Sequence, residues 1–232
     1  MKIPTGNKDF DEFLSGGYED DVITVLYGPA GSGKTNLCVL AASEQARQGK
    51  KVIFIDTEGG FSIERIRQIA DENVAKNILL LKAVKFYEQN EIMNKLLAHT
   101  KNVSLIIVDS IAMLYRLEAG IAREKGDEKI RIINMTLAKQ LRILSEIARK
   151  KNIPVIVTDQ VYSEFVKSEE LKSLDEKKVY MVGGDIMKYW AKCIIELQKL
   201  REGKRKAILR KHMSMPEKDF SFSITNKGIE KS

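Results

Sequence analysis

Residues 28–35 read Gly28-Pro29-Ala30-Gly31-Ser32-Gly33-Lys34-Thr35, and no other stretch narrows the possible folds as far. The spacing G-x-x-x-x-G-K-[ST] has meaning only between a strand and a helix. Both flanks are legible. Val22-Ile23-Thr24-Val25-Leu26-Tyr27 is a short apolar run rich in β-branched residues, which predicts a buried strand. Lys34 to Gln48 carries apolar residues at helical spacing, among them Leu37, Leu40 and Ala41. A glycine turn between such elements leaves backbone N–H groups pointing inward. With the positive end of the helix dipole they form a cradle for a triphosphate. In that reading Lys34 reaches the β- and γ-phosphates, the Thr35 hydroxyl ligates Mg²⁺, and Asn36 belongs to the same nucleotide-binding set. The cofactors expected are ATP and Mg²⁺.

The rest of the chain extends the pattern. Strands are predicted at Val52 to Asp56, Ile78 to Leu81, Leu105 to Asp109, Val155 to Thr158, Cys193 to Leu197, Arg205 to Arg210 and Phe220 to Ile224. Helices are predicted at Ser62 to Ala70, Tyr87 to Thr100, Lys129 to Lys151 and Gly184 to Trp190. Strand–helix alternation implies an α/β fold: a mainly parallel central sheet with helices on both faces. The last three strands have no helix between them, and Glu202-Gly203-Lys204 reads as a hairpin turn, so an antiparallel C-terminal edge is expected. The 232 residues suffice for one domain, taken as 1–232. The stretches Arg116 to Asp127 and Val161 to Gly183 fit no element and are read as long, functional loops.

Composition excludes several classes of protein. No window is apolar enough to span a membrane and the N-terminus has no signal-like apolar core, so a cytoplasmic protein without membrane contact is expected. Cys38 and Cys193 have no partner at metal-binding spacing and read as buried thiols. With 39 basic and 32 acidic residues, the net charge of +7 favours polyanion partners.

Three strand ends carry chemistry beyond the loop. Leu105-Ile106-Ile107-Val108-Asp109 ends in a carboxylate suited to hold Mg²⁺ through water. Val52-Ile53-Phe54-Ile55-Asp56 runs into Thr57-Glu58-Gly59-Gly60, and Glu58 is either a base for an attacking water or a surface Glu beside a turn. Val155-Ile156-Val157-Thr158-Asp159-Gln160 ends in an amide able to read a phosphate oxygen. Glu58, Lys34 and Gln160 form the expected catalytic set. The densest positive segment, Lys199, Arg201, Lys204, Arg205, Lys206 and Arg210, reads equally as a DNA-phosphate strip or as a strand edge charged against aggregation. Aromatic interleaving is thin, with Tyr115, Tyr162 and Phe165 as candidates, so single- and double-stranded DNA stay unranked.

Taken in order, Thr5-Gly6 to Asp9, Leu14, Gly16-Gly17, Ile55 to Phe61, Glu64-Arg65, Leu105 to Ser110, Leu114-Tyr115-Arg116, Asp159-Gln160-Val161 and Gly183-Gly184 resemble the RecA-type recombination ATPases, in their archaeal and eukaryotic branch. The resemblance implies a water-activating Glu58, a γ-phosphate sensor at Gln160 and an adenine-stacking Arg65. It also implies a Pro216 that caps the adenine of a neighbouring subunit. Arg116 would open a first DNA-binding loop, and 161–183 would form a second. The implied role is an ATP- and DNA-binding protein with weak DNA-linked ATPase activity, assisting a RadA-type recombinase in recombinational repair. The branch's N-terminal DNA-binding domain and its docking linker do not precede this core, so self-association is possible while filament formation is not expected. Asp185 stands where the branch has Asn, Ser62 where it has Arg, and Lys211 where it has a cation-binding Asp. Lys211 is either a built-in positive charge for a neighbour's nucleotide or an ordinary member of the basic hairpin. A KaiC-like ATPase or kinase and a non-catalytic ATP-binding adaptor are the alternative functions.

Overall fold

Parallel strands buried on both faces carry unbroken apolar runs, and each run sends alternate side chains to opposite layers. In the computed structural model, which describes residues 1–162 and 180–232, this holds for the central parallel strands, while the edge strand Ile78–Lys82 is only partly buried. The elements, in chain order, are β1 (Lys2–Ile3), α1 (Lys8–Phe13), β2 (Tyr18–Glu19), β3 (Ile23–Gly28), α2 (Lys34–Arg47), β4 (Lys51–Asp56), α3 (Ile63–Ile69), β5 (Ile78–Lys82), α4 (Phe86–Leu96) and β6 (Val103–Asp109). They continue as α5 (Met113–Glu124), α6 (Asp127–Lys151), β7 (Val155–Tyr162), β8 (Tyr180–Met181), α7 (Gly184–Trp190), β9 (Cys193–Lys199), β10 (Lys204–Lys211), β11 (Lys218–Thr225) and β12 (Gly228–Lys231). Val52, Phe54, Leu105, Ile107, Leu26 and Ile156 face the layer of α2. Ile53, Ile55, Ile106, Val108, Val25 and Val157 face the layer of α6.

The main sheet runs β12-β11-β10-β9-β3-β7-β6-β4-β5, with β8 added to β7. From β9 to β5 every neighbouring pair is parallel, and from β9 to β12 every pair is antiparallel. The expected architecture, a mainly parallel sheet covered on both faces with an antiparallel C-terminal edge, is the one found. The parallel registers gather strand ends at one edge. Asp56 lies beside Asp109, Tyr27 beside Asp159, and Gly28 beside Gln160. Ligands of open α/β sheets bind at that edge.

Two regions differ from expectation. The stretch 116–127, read as a loop, lies largely within α5. Its apolar residues Leu114 and Ala122 are buried and α5 packs along α6, so tertiary burial stabilises a helix that its charged sequence obscures. α1 was also unforeseen. Asn7 accepts the Phe10 amide as N-cap, and Phe10 and Phe13 close on Phe220 with ring centroids 5.7 Å away in each case. A six-residue helix has little intrinsic stability; these two aromatic anchors hold it. Most of the stretch 161–183 lies outside the described residues, including Phe165 and the lysines 167, 172, 177 and 178.

Candidate nucleotide-binding site

β3 ends at Gly28, where an added Cβ would come within 2.2 Å of the Leu197 carbonyl oxygen on β9. Only glycine lets the chain turn there. Gly31 and Gly33 then take φ of 75° and 105°, a region that disfavours every other residue type. Gly33 is the N-cap of α2 and offers no side chain, and the first turn of α2 holds no acid. The helix therefore presents bare amides and its positive end to whatever occupies the loop. Pro29 and Ala30 form the exposed rim, while Ser32 is buried with its hydroxyl unpartnered among the described residues.

The Lys34 ammonium curls back onto the loop, donating to the Gly28 and Pro29 carbonyls at 2.8 and 3.0 Å. Burial pulls its pKa down, against the opposing pull of Glu58, Asp109 and Asp159. One residue on, Thr35 Oγ1 donates to Asp109 Oδ2 at 2.7 Å. The other oxygen of Asp109 accepts from the Thr158 hydroxyl. Burial raises the Asp109 pKa while these two hydroxyl donors lower it, and the net shift is upward. Opposite stands Gly60, where an added Cβ would lie 3.5 Å from Thr35 Oγ1 and 3.8 Å from Asp109 Oδ2.

Glu58 reaches the same edge from β4, and its Oε2 accepts from Gln160 Nε2 at 2.9 Å. What aims Glu58 is Asp56. Its Oδ1 accepts the amides of Glu58, Gly59 and Gly60 at 3.2, 2.8 and 3.2 Å, and its Oδ2 accepts Phe61 N at 3.2 Å. Four amides on one carboxylate fold the segment into a fixed turn. Thr57 ties that turn to β6: its hydroxyl donates to the Ser110 carbonyl at 2.7 Å and accepts Ser110 N at 2.8 Å.

The donors present suit a magnesium nucleotide. A Thr hydroxyl and a carboxylate are hard oxygen ligands, and Mg²⁺ completes its shell with phosphate oxygens and water. Glycine also stands where a Cβ would collide, at Gly28, or press tightly on its neighbours, at Gly33.

The sequence model of the Rad51 family matches residues 1–232. The chain belongs to the Rad51 family. It is 43% identical over 223 residues to the DNA repair and recombination protein RadB of Methanocaldococcus jannaschii, spanning 94% of this chain and 97% of that one. It is 40% identical over 237 residues to the RadB of Methanobrevibacter smithii, spanning 98% and 95%. A crystal structure of the RadB recombinase superposes with a TM-score of 0.78 at 34% identity, covering 99% of both chains. Proteins of the Rad51 and RecA type bind ATP with Mg²⁺ and act on DNA, and the fold here is theirs.

Within this Rad51-family core, Arg65 on α3 stands beside α2. Its Nε donates to Asn36 Oδ1 at 2.8 Å and one terminal nitrogen to the Gly228 carbonyl at 3.1 Å. Pro216 lies on the exposed segment between β10 and β11. The basic hairpin divides. Arg205 Nε donates to the Gly31 carbonyl at 3.3 Å, and Lys199 Nζ lies 3.7 Å from where a Gly31 Cβ would stand. Lys206 pairs with Asp219 at 3.2 Å. Arg210 is bound to Glu196 and Glu217, both at 2.7 Å, and Glu196 also accepts from Tyr27 at 3.2 Å. Arg201 and Lys204 are exposed at the turn, and Arg116 is exposed on α5. Lys211 donates to the Lys188 and Ala191 carbonyls at 2.7 and 2.8 Å, capping the C-terminal end of α7 within its own chain.

Two residues of the site escaped the sequence reading. Asp56 was read as a strand end within the Ile55–Phe61 segment and given no role, although the succession Asp-Thr-Glu-Gly-Gly is one that an Asp side chain can fold by capturing the amides after it. Asp159 was passed over for its neighbour Gln160. It is 0% exposed, neither carboxylate oxygen has a hydrogen-bond partner among the described residues, and burial pushes its pKa well above the usual carboxylate range. No motif marks it.

Proposed function

We propose that residues 1–232 form a single RecA-like core that binds ATP-Mg²⁺ and DNA. It assists a RadA-type recombinase in recombinational repair as a cytoplasmic mediator, with weak ATPase activity. The observation that carries this reading is the Thr35–Asp109 contact at 2.7 Å beneath the glycine loop, with Glu58 and Gln160 joined at the adjoining strand tips. The names of the similar proteins, both "DNA repair and recombination protein RadB", support the repair role.

Each residue has a task in this reading. The amides from Gly31 to Thr35 and the Lys34 ammonium hold the phosphates, and Lys34 exchanges its carbonyl partners for phosphate oxygens. Thr35 and Asp109 hold Mg²⁺, which neutralises phosphate charge. Glu58 orients and deprotonates water, and Gln160 reads the terminal phosphate and passes its presence to the segment after β7. Arg65 stacks on adenine, and Pro216 serves a neighbour's nucleotide. Arg116, Arg201 and Lys204 are exposed basic residues open to DNA phosphates, and filament growth is not expected.

The test is salt-dependent DNA binding with and without ATP-Mg²⁺, with and without a RadA-type recombinase. Nucleotide-dependent DNA affinity that disappears in Lys34→Ala is the expected result. Wild-type protein whose DNA affinity ignores ATP would overturn the reading.

A further inference from the structure

The cross-strand register of the C-terminal hairpin sets Arg205 of β10 directly opposite Lys199 of β9. Like charges placed directly opposite one another on an antiparallel pair destabilise it unless a negative group lies between them. Elsewhere on the hairpin the chain supplies that group: Asp219 for Lys206, and Glu196 with Glu217 for Arg210. For Lys199 and Arg205 no carboxylate does so among the described residues. Among the described residues Arg205 bonds to backbone carbonyls, those of Gly31 and Gly203.

Both cations converge on the phosphate loop. Arg205 Cδ lies 3.5 Å from the position of a Gly33 Cβ, and Lys199 Nζ lies 3.7 Å from that of a Gly31 Cβ. The arrangement repeats that of Lys34, whose ammonium also stands on loop carbonyls. A cation on a neutral carbonyl gains less than one on an ionised phosphate oxygen. The phosphate cradle therefore has a second wall, supplied by residues far along the chain, Lys199 on β9 beside β3 and Arg205 one strand further on β10.

We propose that Lys199 and Arg205 belong to the nucleotide site, as a cation pair that binds the phosphates of a nucleoside triphosphate from the hairpin side, and not to a DNA surface. This rests on the phosphate-loop reading above and adds two binding residues to it. Affinity gained from the pair scales with ligand charge, so ATP benefits more than ADP and ADP more than AMP.

The experiment titrates ATP, ADP and AMP, each with Mg²⁺, into wild type, Lys199→Gln, Arg205→Ala, Arg205→Lys and the double variant Lys199→Gln/Arg205→Ala. Lys101→Gln, at the opposite edge of the sheet, is the control, and thermal melts accompany each. The double variant is expected to lose roughly 10- to 100-fold in ATP affinity and progressively less for ADP and AMP, with Arg205→Lys restoring part of it. Salt-dependent binding of single- and double-stranded DNA without nucleotide is expected to keep its slope. Unchanged ATP affinity, an equal loss for all three nucleotides, or a DNA salt slope reduced by about 1.4 to 1.8 for the two charges would overturn the proposal. If Arg205→Ala does not fold, Lys199→Gln alone decides, since its side chain ends beside Gly31. Wild-type protein that binds no ATP would sink the phosphate-loop reading as well. ATP binding that is abolished by Lys34→Ala and indifferent to Lys199 and Arg205 would sink only this one.

Discussion

The two corners of the phosphate edge are built differently. At the corner proposed to hold magnesium, Asp109 is 2% exposed and both its oxygens are bonded, to Thr35 and Thr158 from two other elements. At the corner proposed to hold the attacking water, Glu58 and Gln160 meet each other across an exposed gap. A buried, doubly bonded carboxylate has its position set by folding. An exposed pair held by one hydrogen bond can part for a ligand at little cost, because a solvent-exposed contact of this kind contributes at most about 1 kcal/mol. The Asp109 corner is thus fixed by the fold, while the Glu58–Gln160 corner is adjustable.

Substitutions can break that contrast. The largest effect belongs to Glu58→Gln. Turnover measured under single-turnover conditions falls about 100- to 10,000-fold, while ATP affinity and melting temperature stay near wild type, because the amide keeps its bond to Gln160. Asp109→Ala comes next, and it damages both function and fold. It leaves two hydroxyls unpaired at a buried position, so a loss of about 1–3 kcal/mol in denaturant unfolding accompanies loss of Mg²⁺-dependent ATP binding. If Glu58→Gln unfolded the protein and Asp109→Ala did not, the contrast between the corners would be wrong.

Asp56→Ala sharpens it further. Removing one carboxylate that collects four amides frees the Glu58 turn. Hydrogen exchange of residues 58–61 accelerates, turnover falls about 10-fold or more, and stability drops by about 1–2 kcal/mol. The smallest effect is a gain. Burial raises the Asp159 carboxyl pKa in the folded chain, so this group favours folding fully only below its unfolded pKa of about 4, and that contribution is lost as pH rises through the folded value. Asp159→Asn removes a buried, unpartnered carboxyl and raises stability at pH 7 by about 1 kcal/mol, a gain that vanishes on titration below about pH 4. Melting curves at pH 3.5, 5 and 7 check the sign.

How much was legible varies with distance along the chain. The strands from β3 to β7 and the loop between β3 and α2 were readable because their signals are local: short unbroken apolar runs, a glycine spacing and a terminal carboxylate. Glu58, Asp109 and Gln160 were readable for the same reason, each standing at or just past the end of such a run. α5 was not, since its charged residues mask a narrow apolar face that only α6 completes. Arg205 was assigned to a basic strip because sequence shows charge density and not direction; its contact with Gly31 spans 174 residues.

The sequence alone determined the phosphate loop, the strand-tip acids and the α/β layering, because each follows from the chemistry of a few consecutive residues. The tertiary structure decided which cations face the loop, that Asp56 rather than Glu58 holds the turn, and that Asp109 is locked from two sides. Those depend on strand order and register, which bring together groups that no local pattern relates.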